Sequence, residues 1–137
     1  MTSKIPLLLL CLDLEEGSEA LARYAANVAG RCEQKIHIFY VEPAGRTPVI
    51  KDARSCLEKL AAKTIPERNL EEIAIRQGIA EDEIIAYAGQ HDFDPIILGR
   101  RQRSAVERIY VGSTTSAVLS LTSSPVLVVP LSAEGIH

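Results

Sequence analysis

Between Pro95 and Thr115 the chain reads PIILGRRQRSAVERIYVGSTT, and this stretch holds the residues best suited to binding chemistry. Gly99 closes an apolar run, where the backbone needs a positive φ or a close approach by a neighbour. Thirteen positions on, Gly112-Ser113-Thr114 opens an amphipathic segment. The first N–H groups of a helix have no internal acceptor, so such an end, with hydroxyls beside it, attracts phosphate or carboxylate. Arg100, Arg101, Arg103 and Arg108 crowd the intervening loop. A guanidinium forks onto phosphate oxygens, and Arg101 and Arg103 are the preferred candidates. The outline is an anion site; a turn glycine followed by an ordinary helix cap is the plainer alternative.

Other chemistries find less support. His37 falls in an expected strand, His91 beside Asp92 and Asp94 in a loop, and His137 at the terminus, none with the neighbours of a catalytic base. No metal ligand set and no Ser-His-Asp arrangement can be argued from spacing. The chain lacks both G-x-G-x-x-G after its first strand and G-x-x-x-x-G-K-[ST], which removes the Rossmann and P-loop phosphate sites. A flavodoxin would need a Thr/Ser/Gly loop where this chain has L-D-L-E-E-G-S. A phosphoacceptor receiver would need an aspartate after strand 3 and a lysine after strand 5.

The elements that must position the loop follow from periodicity. Leu7 to Leu12 is a nearly unbroken apolar run, as for a strand buried on both faces, and Asp13 stands at its carboxyl end. After Gly17-Ser18, Ala20, Leu21, Tyr24, Ala25, Val28 and Ala29 form one helical face, with Gly30 as the expected stop. Ile36 to Val41 reads as a second strand. Thr47-Pro48 reads as cap and first residue of a second helix carrying Ile50, Ala53, Leu57, Leu60 and Ala61. Leu70 to Gln77 alternates like an edge strand. A third helix follows Gly78, with Glu81, Asp82 and Glu83 in its first turn to suit the helix dipole. Pro95 to Gly99 is the fourth strand, Gly112 to Thr122 the fourth helix with Ala117, Val118 and Leu121 inward, and Pro125 to Leu131 the last strand.

Strict alternation of strand and helix implies right-handed crossovers and a parallel sheet covered on both faces. Ligands bind such sheets outside the carboxyl ends of the strands, where the winding reverses. The 137 residues suit one domain, 1–137, without internal repeats. Fifteen basic against 18 acidic residues leave no global field to steer nucleic acid, so any basic function is local. The run from Ile5 to Leu12 is too short for a membrane span, contains Pro6, lacks a small-residue cleavage site and turns acidic at Asp13, against a signal peptide. Cytoplasmic location, no membrane and no nucleic acid are the expectation. Cys11, Cys32 and Cys56 are odd in number and widely spaced, as for buried free thiols, with Cys11 the most buried.

The spacing G-x-x-Q-x(9)-G-S resembles the nucleotide-binding signature of the universal stress protein family, G-x-x-G-x(9)-G-[ST], with Gln102 in place of the second glycine. The likeness extends to LLLLCLDLEEGSEALARYAANVA, GIAEDEIIAYAGQHDFDPIILG and SSPVLVVP. It implies an α/β fold: a single doubly wound, five-stranded parallel sheet of order 3-2-1-4-5 with helices on both faces. It also implies an adenine nucleotide, ATP or AMP, with Mg as a candidate companion ion. Asp13 then matches the residue that contacts adenosine, Val41 the one whose backbone meets adenine, and Leu98 a pocket wall. Gly99, Arg101, Gln102, Arg103, Gly112, Ser113 and Thr114 complete the implied site. The glutamine, and L-D-L after the first strand, resemble the UspA-like branch instead, which implies a homodimer without nucleotide that acts through protein contacts. A Cβ at Gln102 costs on the order of 1–2 kcal/mol if the position is left-handed, although its amide can donate a hydrogen bond. Either branch implies a homodimer through Pro125 to Leu131, an apolar edge that aggregates unless paired, and an unidentified protein partner. No general base for ATP hydrolysis is evident, so binding is expected rather than catalysis.

Overall fold

A computed structural model describes residues 4–44, 51–101, 112–132 and 135–136. Five parallel strands follow the expected order: β1 (Leu7–Cys11), β2 (Ile36–Glu42), β3 (Leu70–Gln77), β4 (Phe93–Arg101) and β5 (Val126–Ser132), arranged β3-β2-β1-β4-β5. A two-residue strand, β6 (Gly135–Ile136), adds antiparallel to β5 at Leu131 and Ser132, which the sequence reading did not foresee. The expected outermost strand therefore carries a short neighbour along its end.

Four helices connect the parallel strands: α1 (Ser18–Cys32), α2 (Ala53–Thr64), α3 (Ala80–Ala88) and α4 (Ser113–Leu121). Successive side chains of β1 leave opposite faces of the sheet. Leu8 and Leu10 join α1 and α2 through Leu21, Ala25, Leu57 and Ala61, whereas Leu9 joins α3 and α4 through Ile84, Tyr87 and Val118. All three leucines are fully buried, each contributing roughly 1.5–3 kcal/mol through removal from water.

Several local expectations are corrected. The described start of α2 is capped by Asp52, whose carboxylate accepts from Ser55 N at 3.1 Å, while Thr47-Pro48 lies outside the described residues. Helix α1 runs past Gly30 and stops at Glu33, which takes the left-handed conformation at φ 55°. Strand β4 continues through Gly99 to Arg101 instead of turning there, because the ladder to β5 persists to Arg101↔Leu131. On α4, Val118 and Thr115 face inward, while Leu121 is 67% exposed. Cys32 and Cys56 are exposed, since both fall on the outer faces of their helices, and Cys11 alone is half-buried.

Candidate functional site

The chain leaves the carboxyl ends of the neighbouring strands β1 and β4 toward opposite faces of the sheet, and the reversal opens a crevice of about 440 Å³. Eight of the ten expected site residues line it: Asp13, Val41, Leu98, Gly99, Arg101, Gly112, Ser113 and Thr114. Gln102 and Arg103 lie outside the described residues, as does Arg108. Strand ends supply Val41, Leu98, Gly99 and Arg101, the loop after β1 supplies Asp13, and the first turn of α4 supplies the hydroxyls.

Asp13 is held from several directions. Its Oδ1 accepts from Glu15 N at 2.9 Å, Ser18 Oγ at 3.3 Å and Arg101 Nη2 at 2.7 Å. Its Oδ2 accepts from Arg101 Nη1 at 2.5 Å, which completes a bidentate fork. Leu14 next to it takes φ 61°, a left-handed conformation that costs a non-glycine residue on the order of 1 kcal/mol. Burial pushes the Asp13 carboxyl upward, but the Arg101 hydrogen bond, the Glu15 N–H, the Arg101 charge and the Ser18 hydroxyl outweigh it and hold the group below its ordinary value. On the other side of the pair, the hydrogen bond to Asp13 raises Arg101 against a smaller opposing effect of burial. Arg101 Nε also donates to Glu16 O at 2.9 Å.

The helix end presents a different surface. Gly112 caps α4 at φ −60°, ψ 163° with no side-chain cap bond, and a Cβ built there meets nothing within 4 Å. Intrahelical bonding starts with Ser116 N donating to Gly112 O at 2.9 Å. The earlier N–H groups of the turn have no helical acceptor. Thr114 Oγ1 donates to Glu81 Oε2 at 3.4 Å, so a carboxylate flanks this end. Gly99 differs: a Cβ there would lie 2.6 Å from Leu131 Cδ1 and 3.2 Å from Leu21 Cδ2. Close approach by a neighbouring side chain, not a positive φ, is what demands glycine at this position.

Sequence reasoning missed the rest of the lining. Phe39, Ile84 and Ala80 wall the crevice on the α3 side, Ser18 braces Asp13, and Cys11 contributes a thiol that burial pushes up to about 12. Glu81 had been assigned only to the helix dipole. The signals were present in the period-2 pair Phe39 and Val41 and in the apolar face of α3, but neither marks a site without the topology. His37 also differs from expectation. It is buried, with Nδ1 2.7 Å from the Tyr87 hydroxyl and Nε2 2.7 Å from Glu71 Oε2, so it does have a carboxylate and a hydroxyl for neighbours. Those contacts satisfy a polar ring inside an aromatic cluster with Phe93 and His91. His37 is two residues before Phe39 on β2 and lies behind the crevice wall, outside its lining. Among the described residues no group of three or more His, Cys, Asp and Glu side chains is placed to hold a metal ion, and no helix is long and apolar enough to cross a membrane.

Residues 7–130 match the model of the universal stress protein family. The chain belongs to that family. The universal stress protein Slr1230 of Synechocystis is 26% identical over 123 residues, covering 87% of this chain and 40% of that protein. The sensor protein KdpD of Escherichia coli is 35% identical over 94 residues, covering 68% of this chain and 10% of KdpD. The chain thus spans less than half the length of either curated relative. Among solved structures, universal stress protein UspA from Lactobacillus plantarum is 26% identical with a TM-score of 0.66, covering 93% of this chain and 99% of that one. A universal stress protein in complex with cAMP gives 20% identity and a TM-score of 0.68 over 93% of this chain and 98% of the other. One from Archaeoglobus fulgidus in complex with dAMP gives 20% and 0.63 over 90% and 96%. Both share the fold of this universal stress protein domain.

Proposed function

We propose that this chain is a stress-response regulatory protein that binds an adenine nucleotide in the crevice between β1 and β4. The observation that carries the reading is the convergence of Asp13, Val41 and Leu98 with the open first turn of α4 in one cavity. A volume of about 440 Å³ falls within the range of small-ligand sites. Phosphate oxygens would meet the N–H groups of Ser113 to Thr115 and the hydroxyls of Ser113 and Thr114, and Arg101 would add a guanidinium. Adenosine would lie towards Val41, Leu98 and Asp13. Nucleotides found in the two related structures, cAMP and dAMP, share the adenine and the phosphate. Gly99 supports the site indirectly by letting Leu131 close its floor, and the Gln102 amide and the Arg103 guanidinium are proposed as further donors to the phosphate.

Glu81 beside Thr114 disfavours a long polyphosphate unless a cation accompanies it, which is where Mg with ATP would act. The role is binding: the crevice holds carboxylates engaged by hydrogen bonds and no free general base among its described residues. Extraction and chromatography of the protein as purified should release an adenine nucleotide. Titration of the stripped protein with AMP and Mg-ATP should show micromolar binding of at least one, and phosphate release should match a protein-free control.

A second reading, a homodimer that acts through protein contacts without nucleotide, draws on the edge beyond β4. Leu119 and Leu121 of α4 are 46% and 67% exposed, and among the described residues the antiparallel neighbour of β5 pairs with Leu131 and Ser132 alone. The stretch Pro125 to Leu131 would then pair with its copy, and light scattering at micromolar concentration should give twice the chain mass. Dimerisation is compatible with either reading; absence of nucleotide binding selects the second.

A further inference from the structure

Arg101 engages acidic and carbonyl oxygens rather than an open cavity. Its Nη atoms fork onto both oxygens of Asp13 and its Nε donates to Glu16 O. The Asp13 carboxylate is a flat pair of anionic oxygens, the same shape that two phosphate oxygens offer a guanidinium. It therefore occupies the partner position that a phosphate in the crevice would take. Conversely, Arg101 occupies the acceptor face of Asp13 that ribose hydroxyls would need.

We infer that ligand entry is an exchange of partners: Arg101 leaves the Asp13 carboxylate for a phosphate of the ligand, and the released carboxylate accepts the ribose hydroxyls. The inference deepens the nucleotide reading above and rests on it. Two details make the exchange feasible. Asp13 Oδ1 keeps the Glu15 N–H and the Ser18 hydroxyl when the arginine departs, so the carboxylate stays aimed. The Nε bond to Glu16 O can persist while the terminal nitrogens swing, because it involves a separate donor. A nucleotide replaces every charge-assisted bond that it breaks. A nucleoside cannot, since it supplies hydroxyls to Asp13 but leaves Arg101 without an anion. The crevice thereby selects ligands that carry a phosphate, and Arg101 is the residue that sets this specificity.

The test compares AMP and adenosine by calorimetric titration on the natural chain and on Asp13→Asn, Arg101→Ala and Arg101→Lys, each first checked for an intact thermal transition. The exchange predicts an AMP preference of about tenfold or more in the natural chain, the scale of one charge-assisted hydrogen bond. In Arg101→Ala the preference falls towards one, and adenosine binds more tightly than to the natural chain because Asp13 is free. Arg101→Lys, with charge but no fork, falls between. Asp13→Asn keeps or gains AMP affinity. If Asp13→Asn weakens AMP and adenosine by the same factor while Arg101→Ala leaves adenosine unchanged, Asp13 is a plain ribose contact and the exchange is wrong, although the nucleotide reading stands. If neither the natural chain nor Asp13→Asn binds AMP or ATP, both are wrong.

Discussion

Gly99 sits inside β4 with side chains against its Cα, an added Cβ lying 2.6 Å from Leu131 Cδ1. Gly112, thirteen positions later, faces open space, with nothing within 4 Å of the same construction. The two glycines belong to one spacing motif, yet one serves the packing of the sheet against α1 and the other leaves a helix end accessible. A motif counts both alike. Only the fold separates a glycine that makes room for the protein's own leucine from one that makes room for a ligand.

The largest effect that sharpens this contrast is on stability. Gly99→Ala should destabilise the domain by roughly 1–3 kcal/mol in denaturant unfolding, the usual range for forcing atoms into a filled interior. Combining it with Leu131→Ala should cost less than the sum of the two single changes, because the second removes the atom that the first strikes. Additive effects would show that Leu131 is not what confines Gly99. Gly112→Val should cost under about 1 kcal/mol, the difference between residues at a cap with no side-chain bond to lose, while weakening nucleotide binding. A loss of stability at Gly112 equal to that at Gly99 would erase the distinction.

The Asp13–Arg101 pair lines the same crevice as these glycines and is 45% and 31% exposed, so solvent screens much of its energy. Asp13→Asn should lower stability near neutral pH by about 1 kcal/mol or less. The sign of its pH dependence follows from the depressed carboxyl. The contribution is complete above the unfolded value of about 3.9 and fades as pH falls through the lower folded value. The difference between the two proteins should therefore shrink in acid, and a difference that grows there would contradict the pairing. The smallest effect is chemical: alkylation of the native protein at pH 8 should label Cys32 and Cys56 and spare Cys11, whose thiol is pushed up to about 12.

Much of this fold was legible because its information is periodic. Leu8 to Leu10 and the alternation of strands with helices specify a doubly wound sheet, and the sheet's reversal then brings Asp13, Val41, Leu98 and Gly112 to one place. What stayed hidden depends on contacts between distant residues. Arg101 reaches Asp13 across 88 positions, and its place beside Gln102 marks it as a candidate without announcing that partner. Gly99 looked like a turn because the side chain that packs against it, Leu131, is 32 positions on in β5. The outward turn of Leu121 escaped the periodicity because α4 is only nine residues long, too short for a face to be read securely. His37 looked isolated since Glu71 and Tyr87 come from β3 and α3.

The central claim is that the open end of α4 receives the phosphate of an adenine nucleotide. The most direct test is calorimetric titration of nucleotide-stripped protein and of Gly112→Val with AMP and Mg-ATP, alongside thermal unfolding of both. The account predicts micromolar binding by the natural chain, at least about tenfold weaker binding by the variant, and nearly equal unfolding midpoints. No heat with either nucleotide, or equal affinity in both proteins, would contradict it.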